Sequence, residues 1–95
     1  MPTFRNRPVD AVIDVRSKLE FWMGHLPGAT NVPVDRLPDG LTGLDGLNLT
    51  PKSRILVYCA SGMRSAQAAG ILKAAGYSNV VDGGGMGAAS QDFAA

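Results

Sequence analysis

One cysteine, one histidine and one tryptophan stand in a chain of 95 residues. A single thiol, Cys59, excludes an internal disulfide framework. With His25 as the only imidazole, a zinc site of Cys and His ligands has no ligand set to draw on, so no metal and no cofactor is expected. Charge of one sign is scarce as well: nine Lys and Arg face eight Asp and Glu, a net +1. Without a basic block, neither nucleic acid nor an anionic membrane is an expected partner. No apolar run is long enough for a membrane span, and the opening Met1 to Pro8 has no signal-peptide core. The chain is therefore read as soluble and cytoplasmic. Its length leaves no room for a second core, so a single domain over 1–95 is expected. A hydrophobic share of 45% against 18% charged residues excludes a disordered or collagen-like chain.

Pro2 and Pro8 frame residues 1–10, which read as an extended N-terminal arm. Ala11-Val-Ile-Asp-Val15 is β-branched without alternation, the pattern of a strand buried on both faces of a parallel sheet. Ser17 is a plausible N-cap, with Glu20 at the capping-box position, for a short helix through Met23 that Gly24 stops. Thr30-Asn-Val32 is a short strand after the Pro27-Gly28 turn. Leu37, Leu41, Leu44 and Leu47 are nearly helical in spacing, but Pro38, Gly40, Gly43 and Gly46 interrupt them, leaving a loop with one or two helical turns. Arg54-Ile-Leu-Val-Tyr58 is the clearest strand. A helix follows, with Ala68, Ile71, Leu72 and Ala75 on one face and Gly76 at its end. Asn79 to Asp82 reads as a last strand, Gly83-Gly-Gly85 as a flexible turn, and Met86 to Phe93 as a weak final helix. Strands alternating with helices imply an α/β fold, a small mainly parallel sheet of about four strands with helices on both faces. Ligands of such sheets bind beyond the carboxyl ends of the strands.

Two strand ends carry reactive or ionic groups there: Asp14-Val-Arg16, and Cys59 to Arg64. Cys59 leaves a buried strand and enters a short loop that opens a helix, so its sulfur faces backbone N–H groups and the positive helix end. Thiols so placed have pKa values lowered to roughly 3.5–7.5 and are nucleophilic at neutral pH. Gly62 permits the backbone turn that aims N–H groups inward, and Ser61 and Ser65 add hydroxyl donors. The loop reads as an anion cradle with a nucleophile at its base. An ordinary buried cysteine followed by a surface arginine is the competing reading.

Asp14-Val-Arg16, Glu20-Phe21, Gly24-His-Leu-Pro-Gly-Ala29, Asn31-Val-Pro33, Val57-Tyr-Cys59, Ser61-Gly62, Arg64-Ser65, Gly76-Tyr77, Asn79-Val80 and Gly84-Gly85 together resemble the rhodanese, or sulfurtransferase, domain. The resemblance runs from about residue 11 to 86 and is specific in order and spacing. It implies that Cys59 takes a sulfane sulfur from a donor such as thiosulfate, becomes a persulfide, and passes the sulfur to cyanide or to a thiol or protein acceptor. Ala60, Ser61, Gly62, Met63, Arg64 and Ser65 would bind the donor, with Arg64 on its anionic group. By the same resemblance Asp14 orients loop groups such as Arg64 and Arg16 adds positive potential at the mouth. A structural ion pair between Asp14 and Arg16 is the other reading.

The resemblance also separates two cysteine chemistries. Cysteine phosphatases carry five residues between Cys and Arg, whereas Ala60 to Met63 are four, the length that accompanies sulfur transfer in this family. A phosphatase or arsenate reductase is disfavoured further by the lack of a second cysteine, and a non-catalytic partner-binding module by the presence of Cys59. Only ten residues precede Ala11, as in the minimal single-domain subclass, which leaves a sheet edge for the Phe4 arm or a second copy to cover. A monomer or weak homodimer is expected. Met86 stands near the place of a tryptophan common after the Gly-Gly pair. His25 reads as a turn histidine. Trp22 and Met23 are read either as cover for the core, the preferred reading for Trp22, or as an exposed partner surface. With Arg64 the one cation of the loop, thiosulfate affinity is expected to be modest and a larger donor or a protein persulfide better suited.

Overall fold

A computed structural model describes residues 1–42, 44 and 47–95. The chain begins with a hairpin, β1 (Thr3–Phe4) and β2 (Arg7–Pro8), which corrects the extended arm expected for residues 1–10. Arg5 and Asn6 take φ of 52° and 63°, the pair of positive values that a two-residue hairpin turn requires. Pro8, lacking an N–H, lies on the outer strand, where no ladder bond is lost.

The main sheet is parallel and four-stranded. It comprises β3 (Ala11–Asp14), β4 (Thr30–Asn31), β5 (Ile55–Cys59) and β6 (Val80–Gly85), in the order β4-β3-β5-β6. β3 and β5 are the central strands and are buried throughout, as the apolar runs Ala11–Ile13 and Ile55–Cys59 predict; Asp14 at the end of β3 is a buried charge. Side chains alternate between two cores. Ile13, Ile55, Val57 and Cys59 pack on one face against Ala68, Ala69 and Leu72 of α2 (Met63–Ala74). Val12, Leu56 and Tyr58 pack on the other against Phe4 and Ala89 of α3 (Met86–Asp92). Helices thus cover both faces, as expected. On α2 the small residues Ser65, Ala68 and Ala69 are buried with Leu72, while Ala75 is exposed.

α1 (Lys18–Trp22) carries the predicted capping box. The Ser17 hydroxyl accepts from the Glu20 N–H, and the Glu20 carboxylate accepts from the Ser17 N–H. Two 3-10 turns, Val34–Arg36 and Asp39–Leu41, occupy the leucine-rich loop. Gly43 and Gly46, expected to interrupt its spacing, lie outside the described residues.

Gly83-Gly-Gly85 is strand rather than a flexible turn, because β6 runs on to pair Gly85 with Cys59 across an irregularity in the ladder. The hairpin covers no edge of this sheet. It pairs with β7 (Phe93–Ala94) in a second, three-stranded sheet. Arg54 fastens it, since one guanidinium nitrogen donates to the carbonyls of Phe4, Arg7 and Pro8 at 3.2, 2.9 and 3.3 Å. Among the described residues no helix is long and apolar enough to cross a membrane.

Candidate active site

Cys59 is the last residue of β5, and α2 starts only four residues later. The turn between them requires Gly62, whose φ of +107° at the N-cap of α2 is a conformation that side-chain-bearing residues rarely adopt. This backbone bend turns the Gly62 N–H onto the Cys59 Sγ at 3.0 Å. Met63, Arg64 and Ser65 form the first turn of α2 rather than a free loop, so the cradle floor is itself helical.

Burial pushes the Cys59 thiol up, but the N–H groups of Ser65, Gly62 and Ser61 and the Ser65 hydroxyl outweigh it, and the net pKa is lowered. The Ser65 hydroxyl has one hydrogen and a second acceptor in reach, the Gly62 carbonyl at 3.0 Å. Cys59 and Ser65 are buried, whereas Ala60 and Ser61 are exposed and Gly62 half-buried.

Behind the loop stands Gly85. A Cβ there would lie 2.6 Å from the Ala60 carbonyl oxygen and 3.4 Å from the Ser61 Cα. The missing side chain lets β6 press against the loop and fixes the height of the cradle.

Arg64 reaches across the mouth to α1. Its two terminal nitrogens donate to the two carboxylate oxygens of Glu20 at 2.6 and 3.0 Å, and each side chain is 35% exposed. The Arg64 pair and the α1 cap together hold the Glu20 carboxyl down to about 2.

Asp14 and Arg16 adopt the ion-pair reading. The Arg16 guanidinium donates to the Asp14 carboxylate at 2.7 and 3.0 Å, and to the Gly24 carbonyl at 2.6 Å. Both residues are buried. Parallel pairing explains why they do not serve the loop. Asp14 is in register with Tyr58, not with Cys59, and Arg16 lies over the Tyr58 ring at 5.7 Å. Side-chain alternation therefore sends them to the face opposite the thiol. Among the described residues Asp14 makes no hydrogen bond to Arg64.

His25 is a turn histidine. Its Nδ1 lies 2.9 Å from the Phe21 carbonyl oxygen, and its ring stacks on that of Phe21 with centroids 3.7 Å apart. Trp22 does not cover the core, being 81% exposed; Leu19 and Met23, its neighbours in sequence, are exposed too, as is Met63 at the start of α2. A five-residue helix whose inner side is occupied by Glu20 and Phe21 has no further face to bury it. Two contributors were not anticipated in these roles: Glu20, read only as a cap, and Gly85, read as a turn.

A family model described as the rhodanese-like domain matches residues 4–88. The chain is 39% identical over 72 residues to the probable adenylyltransferase/sulfurtransferase MoeZ of Mycobacterium tuberculosis, covering 75% of this chain and 17% of that protein. It is 36% identical over 75 residues to the thiosulfate sulfurtransferase PspE of Escherichia coli, covering 78% of this chain and 68% of that one. Among solved structures, a rhodanese with anions from E. coli superposes with a TM-score of 0.76 at 27% identity, covering 88% of this chain and 95% of that one. The chain spans between 17% and 23% of the length of the longer relatives it matches, MoeZ among them.

Proposed function

Because the chain belongs to the rhodanese-like domain family, we propose that it is a sulfurtransferase in which Cys59 carries the sulfur as a persulfide. The observation that carries this reading is a thiol of lowered pKa at the base of a turn of backbone N–H groups, one of them 3.0 Å from the sulfur. The Cys59 thiolate attacks the outer sulfur of thiosulfate, a new S–S bond forms, and the old S–S bond breaks to release sulfite with its electron pair. The persulfide so formed is an anion, and the N–H groups of Ser61, Gly62 and Ser65 are donors suited to it. A thiophilic acceptor, cyanide or a thiol, then attacks the terminal sulfur and returns the Cys59 thiolate. No oxidant or cofactor enters either step. The resting thiol must be reduced, which fits a cytoplasmic setting. Ala60 and Met63 border the entry, and Arg64 is the cation available to an anionic donor.

Intact mass after incubation with thiosulfate tests the reading. The wild type should gain one sulfur atom, lose it on addition of cyanide, and gain nothing as Cys59→Ser. A gain in the Cys59→Ser protein, or none in the wild type with either thiosulfate or a low-molecular-weight persulfide, overturns it.

A further inference from the structure

The one cation of the segment Cys59 to Ser65 is already engaged, although Lys18 and Arg36 line the same cavity as Arg64. Arg64 is bound in a bidentate fork by Glu20, the geometry in which a guanidinium would also take a two-oxygen anion from solution. Glu20 is itself held for this task. Its Oε1 accepts from the Ser17 N–H at 3.1 Å and the Ser17 hydroxyl at 3.0 Å, so the α1 cap presents the carboxylate to Arg64 without a search through rotamers. The pair is neither sealed in nor free in solvent, each side chain being about a third exposed, so an incoming anion has access to it. We propose that Glu20 is an internal competitor for the donor's anionic group. It disfavours small free dianions such as thiosulfate relative to persulfides, whose carriers bring no sulfonate to Arg64.

This rests on the sulfur-transfer reading for its meaning, though the competition itself is a property of anion binding. A dianion that uses Arg64 must first separate it from Glu20, so its observed dissociation constant is the intrinsic one divided by the fraction of molecules with Arg64 free. A persulfide donor needs no such separation. The Cys59 thiolate attacks the outer sulfur of the persulfide anion, Cys59–S–S⁻ forms as the old S–S bond breaks, and the carrier leaves as a thiolate, with charge and electrons conserved.

The test is thiosulfate binding by calorimetry in the unreactive Cys59→Ser background, with and without Glu20→Gln. Gln keeps the capping-box acceptor, so α1 is preserved, and an unchanged far-ultraviolet circular dichroism spectrum and Tm verify the fold. Glu20→Gln should tighten thiosulfate about two- to fivefold, and the gain should vanish when Arg64→Ala is added, as coupling through one pair requires. Unchanged or weaker binding in Glu20→Gln, or no measurable binding in either protein, overturns the competition, as does a gain that survives Arg64→Ala. Sulfur loading of Glu20→Gln with Cys59 intact separates the two readings. A persulfide without tighter binding refutes the competition alone, whereas tighter binding without a persulfide refutes sulfur transfer alone.

Discussion

Gly85→Ala places the sharpest demand on the site geometry. The new Cβ would stand 2.6 Å from the Ala60 carbonyl oxygen, against a carbon–oxygen contact of about 3.3 Å, so the two backbones must part by about 0.7 Å. Neither is a flexible side-chain end that swings aside. Gly85 is paired to Cys59 in the sheet ladder, and Ala60 is the next residue after it. The separation is therefore absorbed in the loop that aims N–H groups at the sulfur. Overpacking of this kind costs about 1–3 kcal/mol, and for a domain of this size each kcal/mol lowers Tm by about 4–8 °C. Thermal unfolding followed by circular dichroism, with the alkylation rate of Cys59 at fixed pH, reads both effects. The variant should melt roughly 5–20 °C lower and alkylate more slowly near neutrality, because a displaced Gly62 N–H stabilises the thiolate less. Gly70→Ala is the control. It lies inside α2 with nothing within 4 Å of the added Cβ, and should raise stability by about 0.5–1 kcal/mol through helix propensity. A Gly85→Ala protein with the wild-type Tm and alkylation rate would refute the close-approach argument.

Two further outcomes follow from the ionic groups. Asp14→Ala strands the buried Arg16 guanidinium without its carboxylate, a change that costs about 3–5 kcal/mol, and urea unfolding should show it. A loss under about 1 kcal/mol would mean that Gly24 and water suffice for Arg16. The lowered thiol pKa fixes a sign for Cys59: the thiolate fraction, and with it the rate of alkylation by iodoacetamide, should hold its plateau below the ordinary thiol value of 9.0 and fall only as pH drops through the lowered pKa. Ser65→Ala should move that midpoint upward, and a wild-type midpoint at or above 9.0 would contradict the cradle geometry.

The parts legible in the sequence are those whose cause is local. Ile55 to Tyr58 reads as a central strand because no polar residue breaks it, and Ser17 with Glu20 reads as a helix start because both partners lie within one turn. The parts that escaped have causes distant in the chain. Arg5-Asn6 carries no glycine, so nothing marked it as a hairpin turn, and the burial of Phe4 depends on α3 and on the carbonyl grip of Arg54, 50 residues away. Gly83-Gly-Gly85 has the composition of a turn. It becomes strand because bulk is excluded there by Leu56 and the Val57 carbonyl oxygen at Gly83 and by the Ala60 carbonyl oxygen at Gly85, contacts that exist only once β5 and β6 are paired.

Arg64 shows the same limit at the level of function. The loop sequence says that a cation follows Cys59 at the right distance, and it says nothing of whether that cation is free. Its state is decided by Glu20, 44 residues earlier, on a helix whose cap holds the carboxylate in place. Asp14, the acid that the family resemblance offered as the partner, is removed by one residue of register that turns it to the other face of the sheet. If Glu20 competes as proposed, two domains with the same six-residue loop will differ in the donor they prefer according to which carboxylate the α1 segment presents, and the helix that faces the loop across the mouth is where that selectivity is to be tested.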